Sequence, residues 1–135
     1  MIERTFPARD EYLDDAIAFV EEELEKIDCP LRAVMQITVC VEEMFVNVAH
    51  YAYEGAEGEV TLCINGEDKT VAITLIDSGM PFDPLAKEDP DITLAADERQ
   101  IGGLGIFMVK KSMNEVAYER RDDKNIFTMT KVIGT

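Results

Sequence analysis

Apolar residues recur along the chain at two different periods. After Glu11, the residues Leu13, Ile17, Val20, Leu24 and Ile27 return every three or four positions, with acids between them. That spacing predicts a helix with one buried face, capped by Asp10 and ending near Asp28-Cys29-Pro30. Glu21, Glu22 and Glu23 read as its solvated side. A longer stripe of Val34, Ile37, Val41, Met44, Val48 and Ala52 predicts a second helix over about 31–53. The period then drops to two. Val60, Leu62 and Ile64 alternate with Thr61, Cys63 and Asn65; Val71, Ile73 and Leu75 alternate with Ala72, Thr74 and Ile76. These are two half-buried strands, joined by a hairpin turn at Asn65-Gly66-Glu67-Asp68. Residues 1–7 add a short strand ending at Pro7, and Ile106, Val109 and Met113 mark the inward side of a short helix. Strands over about 115–121 and 125–133 then join through a turn at Asp122-Asp123-Lys124-Asn125.

The order is strand, helix, helix, hairpin, irregular connection, helix, hairpin. Hairpins imply antiparallel pairing. The expected fold is therefore α+β: a two-layer α/β sandwich whose mixed, mostly antiparallel sheet of four to five strands carries three helices on one face. A chain of 135 residues suits a single domain over 1–135.

Composition narrows the partners. The net charge of −15 argues against direct contact with nucleic acid or an anionic membrane. No apolar run approaches the ~20 residues of a membrane span. The start, MIERTFPARD, lacks a signal-peptide pattern, which predicts a cytoplasmic protein. Cys29, Cys40 and Cys63 form no CxxC pair, so reduced thiols are expected.

Three polar interruptions break the pattern. The first lies on the polar side of the long helix, with Gln36, Glu43, Asn47 and His50. Glu43 and Asn47 are four apart, so they stack on one face and can hold a hard cation and a water. The plain reading is a solvated polar face. The second is Asp77, which falls in the same row as Val71, Ile73 and Leu75. An acid there is costly unless satisfied; the plain reading is a turn former. Beyond it, residues 78–84 cannot continue a strand, and the acidic stretch 85–100 reads as a functional lid or a disordered segment. The third is Gly102-Gly103-Leu104-Gly105, which opens a helix. Unpaired N–H groups at such a start bind anions. Asp77 can accept a bond from an exocyclic amine, and Asn47 can offer an oxygen to Mg²⁺. Together they describe a site for a purine nucleoside triphosphate with Mg²⁺, although GxxxxGK[ST] and GxGxxG are both absent.

The three stretches, in this order, resemble a known family. Glu43-Met44-Phe45-Val46-Asn47 is similar to the ExxxN box of the GHKL ATPases. Asp77-Ser78-Gly79-Met80-Pro81-Phe82-Asp83-Pro84 resembles their first glycine box, and Gly102-Gly103-Leu104-Gly105-Ile106 their second. Within the superfamily, GGLGIFMVKKSMNEVAY is most similar to the anti-sigma factor serine/threonine kinases of bacteria. The resemblance implies ATP and Mg²⁺ as cofactors. It implies Glu43 as general base, Asn47 as the Mg²⁺ ligand and Asp77 as the acceptor for the adenine amino group. Gly79 would leave room for the base, and Gly103, Leu104 and Gly105 would hold the phosphates. Arg99 would reach the γ-phosphate, or else be a solvated lid charge. Thr128 and Thr130 would lie near the base.

The implied activity is phosphorylation of a small antagonist protein, with sequestration of a sigma factor-like partner. The alternative is a non-catalytic, ATP-dependent binding switch. A homodimer is implied too, and the sheet face of Ala72, Thr74 and Ile76 is apolar enough to suit one. The chain departs from the family at Tyr51, which stands where those kinases carry a histidine, while His50 is one place early. Glu42 beside Glu43 leaves the base ambiguous; the spacing to Asn47 favours Glu43.

Overall fold

The computed structural model describes residues 1–53, 56–67, 69–85 and 103–134. Five strands, β1 (Ile2–Pro7), β2 (Glu59–Gly66), β3 (Thr70–Asp77), β4 (Glu115–Arg121) and β5 (Lys124–Val132), form one sheet in the order β1-β2-β3-β5-β4. Each described pairing is antiparallel. Helices α1 (Leu13–Lys26), α2 (Leu31–Asn47) and α3 (Gly103–Ser112) pack on one face. The expected two-layer α+β sandwich is the fold.

Alternation decides which side of each strand is covered. In β3, Val71, Ile73, Leu75 and Asp77 are buried, while Thr70, Ala72, Thr74 and Ile76 are half-buried on the other side. The register places Val60, Leu62 and Ile64 opposite Asp77, Leu75 and Ile73, and Phe127 and Met129 opposite Leu75 and Ile73. Phe45, Leu24, Ile37 and Val41 close this layer from the helices, each fully buried. Truncating such a leucine or isoleucine to alanine costs about 2–5 kcal/mol. On the open face, Thr74 and Thr128 are bonded across the strands at 3.2 Å.

Several boundaries differ from the expected ones. Asp10 does not cap α1. It begins a 3₁₀ turn (Asp10–Tyr12), and its carboxylate meets His50 Nε2 at 2.7–2.8 Å instead. The long helix does not run regularly to Tyr53. It is α-helical to Asn47 and then widens into a π turn over Val48–Ala52. Asn65 and Gly66 belong to β2, and the turn begins at Glu67, whose N–H bonds Thr70 O at 2.8 Å. The last hairpin needs only two turn residues. Asp122 and Asp123 sit at φ 55° and 61°, the left-handed pair of a primed turn, which short Asp side chains tolerate. Lys124 therefore joins β5 one residue ahead of the expected start at Asn125, and Asn125 pairs with Asp77.

No helix among the described residues is long and apolar enough to cross a membrane. Cys40 and Cys63 are buried, and no cysteine is bridged. Burial, followed by a bond to Glu3, pushes the Cys63 thiol up to about 11.

Candidate functional site

Asp77 ends β3 with its side chain on the helix-covered face, only 7% exposed. Oδ1 accepts the Gly79 N–H and the Asn125 Nδ2–H, each at 2.9 Å. Oδ2 accepts nothing among the described residues. A buried acceptor left bare costs about 1–3 kcal/mol, and Asp77 lines a pocket of about 70 Å³ in which a ligand donor would meet it. Met44, Val48, Leu75 and Phe127 form its apolar walls, and Tyr51, Met80 and Phe82 line it from partly exposed positions. A flat apolar ring carrying one amine matches that chemistry.

The chain beyond Asp77 is fastened at several points. Met80 N–H donates to Ala52 O at 2.8 Å, joining it to the end of the π turn. A Cβ on Gly79 would lie 2.3 Å from that oxygen and 2.6 Å from Ala52 Cβ. The space beside Gly79 is thus filled by Ala52, so this glycine serves the crossing of two backbones. Arg120 donates to Gly79 O at 2.9 Å. Tyr53 Oη accepts the Ser78 N–H at 2.9 Å and donates to Glu59 O.

Asn47, the last residue of α2, lines the same pocket. It is half-buried, and its carboxamide has no partner among the described residues. No cluster of three or more His, Cys, Asp or Glu suited to a metal occurs among those residues. A Mg²⁺ ion here would combine the Asn47 oxygen with phosphate oxygens and water, the coordination Mg²⁺ favours. The donor set fits a nucleotide-borne ion.

Glu43 lies one turn earlier and lines a second groove, between α2 and α3. It is half-buried, with no hydrogen bond or ion pair among the described residues. Gly103, Leu104 and Gly105 form the first turn of α3. A Cβ on Gly105 would sit 1.8 Å from Glu43 Oε1 and 2.2 Å from its Cδ. The missing side chain is what lets the carboxylate lie against the start of α3, where the helix dipole favours negative charge. Glu42 is exposed on the rim of the groove.

The structure therefore brings Asn47 and Asp77 to one pocket, and Glu43 to Gly105 in the groove beside it. His50 points away to Asp10, while Tyr51 lines the pocket. Arg99 and Gly102 lie outside the described residues. Thr128 and Thr130 do not line the pocket at Asp77. They occupy the open sheet face, because the buried row of β5 is Asn125, Phe127 and Met129. Asn125, Arg120, Tyr118 and Tyr53 were not legible as site residues. The available signal was register: a two-residue turn at Asp122-Asp123 puts Asn125 level with Asp77.

Residues 6–131 match the model of the histidine kinase-like ATPase domain. The serine/threonine-protein kinase BtrW of Bordetella bronchiseptica is 26% identical over 117 residues, covering 86% of this chain and 82% of that protein. The anti-sigma F factor of Clostridium acetobutylicum is 24% identical over 132 residues, covering 98% and 90%. Among solved structures, the RsbU and RsbW domains of Rv1364c from Mycobacterium tuberculosis share the fold, with a TM-score of 0.65 at 15% identity. That alignment covers 98% of this chain but 33% of the longer one. The chain belongs to the histidine kinase-like ATPase domain family, the GHKL group that its three boxes resemble.

Proposed function

We propose that the protein is an ATP-dependent serine/threonine protein kinase of the anti-sigma-factor kind. It phosphorylates a small antagonist protein and, when free, sequesters a sigma factor-like partner. What carries this reading is the position of Glu43: a half-buried, unpaired carboxylate seated against the first turn of α3, one helical turn from the unpartnered Asn47. The names of two relatives, a serine/threonine-protein kinase and an anti-sigma F factor, support it.

In this scheme Asp77 and the apolar pocket bind the adenine ring, and the N–H groups of Gly103, Leu104 and Gly105 face the phosphates. Asn47 holds Mg²⁺, which supplies charge neutralisation. Glu43 takes the proton of a serine or threonine hydroxyl as its oxygen bonds to the γ-phosphorus and the bond to the ADP oxygen breaks. Transfer of this kind depends mainly on positioning and electrostatics, and a general base adds about 10²–10⁴-fold. The open sheet face of Ala72, Thr74 and Ile76 would form a homodimer, and a monomer mass by light scattering at micromolar concentration would count against that part.

The test is incubation with radiolabelled Mg-ATP and the small antagonist-like proteins of the same organism. Wild type should label one of them. Glu43→Ala should bind ATP within a few fold of wild type and label nothing, and Asn47→Ala should lose both binding and labelling. Should wild type label nothing while its affinity for a partner differs between ATP and ADP, the non-catalytic switch is correct instead.

A further inference from the structure

Two polar side chains are buried among the described residues, Asp77 and Asn125. The proposed site uses the first and leaves the second without a role. Asn125 stands opposite Asp77 across β3–β5 and opposite Arg120 across β4–β5. Its carboxamide is fully engaged. Nδ2 donates to Asp77 Oδ1 and to Met80 O, each at 2.9 Å. Oδ1 accepts the Phe82 N–H at 3.3 Å and the Tyr118 hydroxyl. Both partners of the nitrogen are acceptors and both partners of the oxygen are donors, so a flipped amide would lose all four bonds.

We infer that Asn125 is the positioning residue that gives the pocket its base selectivity; this rests on the nucleotide reading above. With no donor or acceptor to spare, Asn125 works through Asp77. Together with the Gly79 N–H it occupies Oδ1, which leaves Oδ2 as the open site on that carboxylate. An acceptor at that place takes an exocyclic amine. A ring carbonyl in the same position would face it with no proton between, so an oxo-purine is refused. The bonds to Met80 O and from Phe82 N–H hold the neighbouring pocket residues in the same frame. The titratable and charged groups around position 125 are Asp77 on β3, Tyr118 and Arg120 on β4, and Tyr51 across the pocket.

The test is calorimetric titration of the intact protein with Mg-ATP and Mg-GTP, for wild type, Asn125→Leu and Asn125→Asp. Wild type should prefer ATP by about tenfold or more, the ratio for one buried unmatched polar contact. Asn125→Leu should weaken ATP by about tenfold and bring the ATP:GTP ratio toward one. Asn125→Asp is nearly isosteric and sets a second carboxyl against Asp77. At about pH 8 the two charges repel and ATP affinity falls, whereas at about pH 5.5 a shared proton restores the bond and the deficit relative to wild type shrinks. Equal ATP and GTP affinities in wild type would overturn the inference. So would loss of both nucleotides in equal proportion in Asn125→Leu, or a pH-independent deficit in Asn125→Asp. If Asn125→Leu does not melt cooperatively, the aspartate variant decides. A wild type that binds neither nucleotide sinks the nucleotide reading, and this inference with it.

Discussion

Replacing Gly79 by alanine tests the crossing of the β3 exit over the π turn. The added carbon would lie 2.3 Å from Ala52 O, 2.6 Å from Ala52 Cβ and 2.7 Å from Ala52 C. Those distances are about 1 Å short of normal contact. The obstacle is backbone, so the chain must lift instead of a side chain swinging aside. Overpacking of this sort costs about 1–3 kcal/mol. The lift also strains the bonds Met80 N–H to Ala52 O and Arg120 to Gly79 O, together about 2 kcal/mol. Reduced freedom of the unfolded chain returns about 0.4–1 kcal/mol, leaving a net loss of about 2–4.6 kcal/mol. With an unfolding entropy of about 2.1 cal/mol/K per residue, the 135 residues carry roughly 0.28 kcal/mol/K. Tm should then fall by about 7–16 °C, read by circular dichroism, and ATP affinity should fall with it as Asp77 loses its frame. Gly134→Ala is the control, since a carbon there would sit 3.4 Å or more from Lys69 and should leave Tm within about 2 °C. A Gly79→Ala Tm equal to that of the control would show that the two backbones do not cross as described.

Gly105→Ala should separate folding from transfer. Its carbon displaces the flexible end of Glu43, so a helix gain of up to about 1 kcal/mol offsets a rotamer cost of about 0.5–1.5 kcal/mol. Tm should move by no more than about 5 °C, while labelling of the protein substrate falls by about 100-fold or more; an unchanged labelling rate would remove Glu43 from the base role. The Cys63 thiol, raised from 9.0 to about 11 mainly by burial, keeps its proton in the folded chain where the unfolded thiol has lost it. The unfolded state therefore binds fewer protons between those values, and stability falls as pH rises from about 9 to about 11. Cys63→Ala should show a shallower fall of Tm across that range, and parallel curves would show that the thiol is not shielded.

The period-two rows were enough to find Asp77, because an acid in an apolar row is conspicuous whatever the exact strand ends. Helical spacing likewise stacked Glu43 on Asn47. It could not reveal the π turn, since Val48 and Ala52 continue the apolar stripe under either winding. Asn125 reads both as the last residue of the turn Asp122-Asp123-Lys124-Asn125 and as the first of the final strand, which leaves its register open. Only the left-handed conformation of both aspartates shows that the turn spends two residues, so that Lys124 joins the strand and Asn125 stands level with Asp77. Asp10 carries the signature of a cap, yet a histidine forty residues away claims its carboxylate. Contacts of that range leave no local mark in a sequence. Gly79 and Gly105 were expected to leave room for a base and to hold phosphates; that Ala52 and Glu43 lie against them is visible only in three dimensions.

The π turn also bears on how length changes would act. In a regular helix one inserted residue rotates everything after it by about 100°. A π turn takes up such a residue locally. Here it stands between Asn47 and the Ala52 carbonyl that receives Met80. A deletion within residues 48–52 would be absorbed as a return to α winding after Asn47, leaving Glu43 and Asn47 on their faces. The pocket wall formed by Val48, Tyr51 and Ala52 would re-seat alone. The helix thus joins two modules that can be retuned separately, one fixed by side-chain stacking and the other by the length of a single turn.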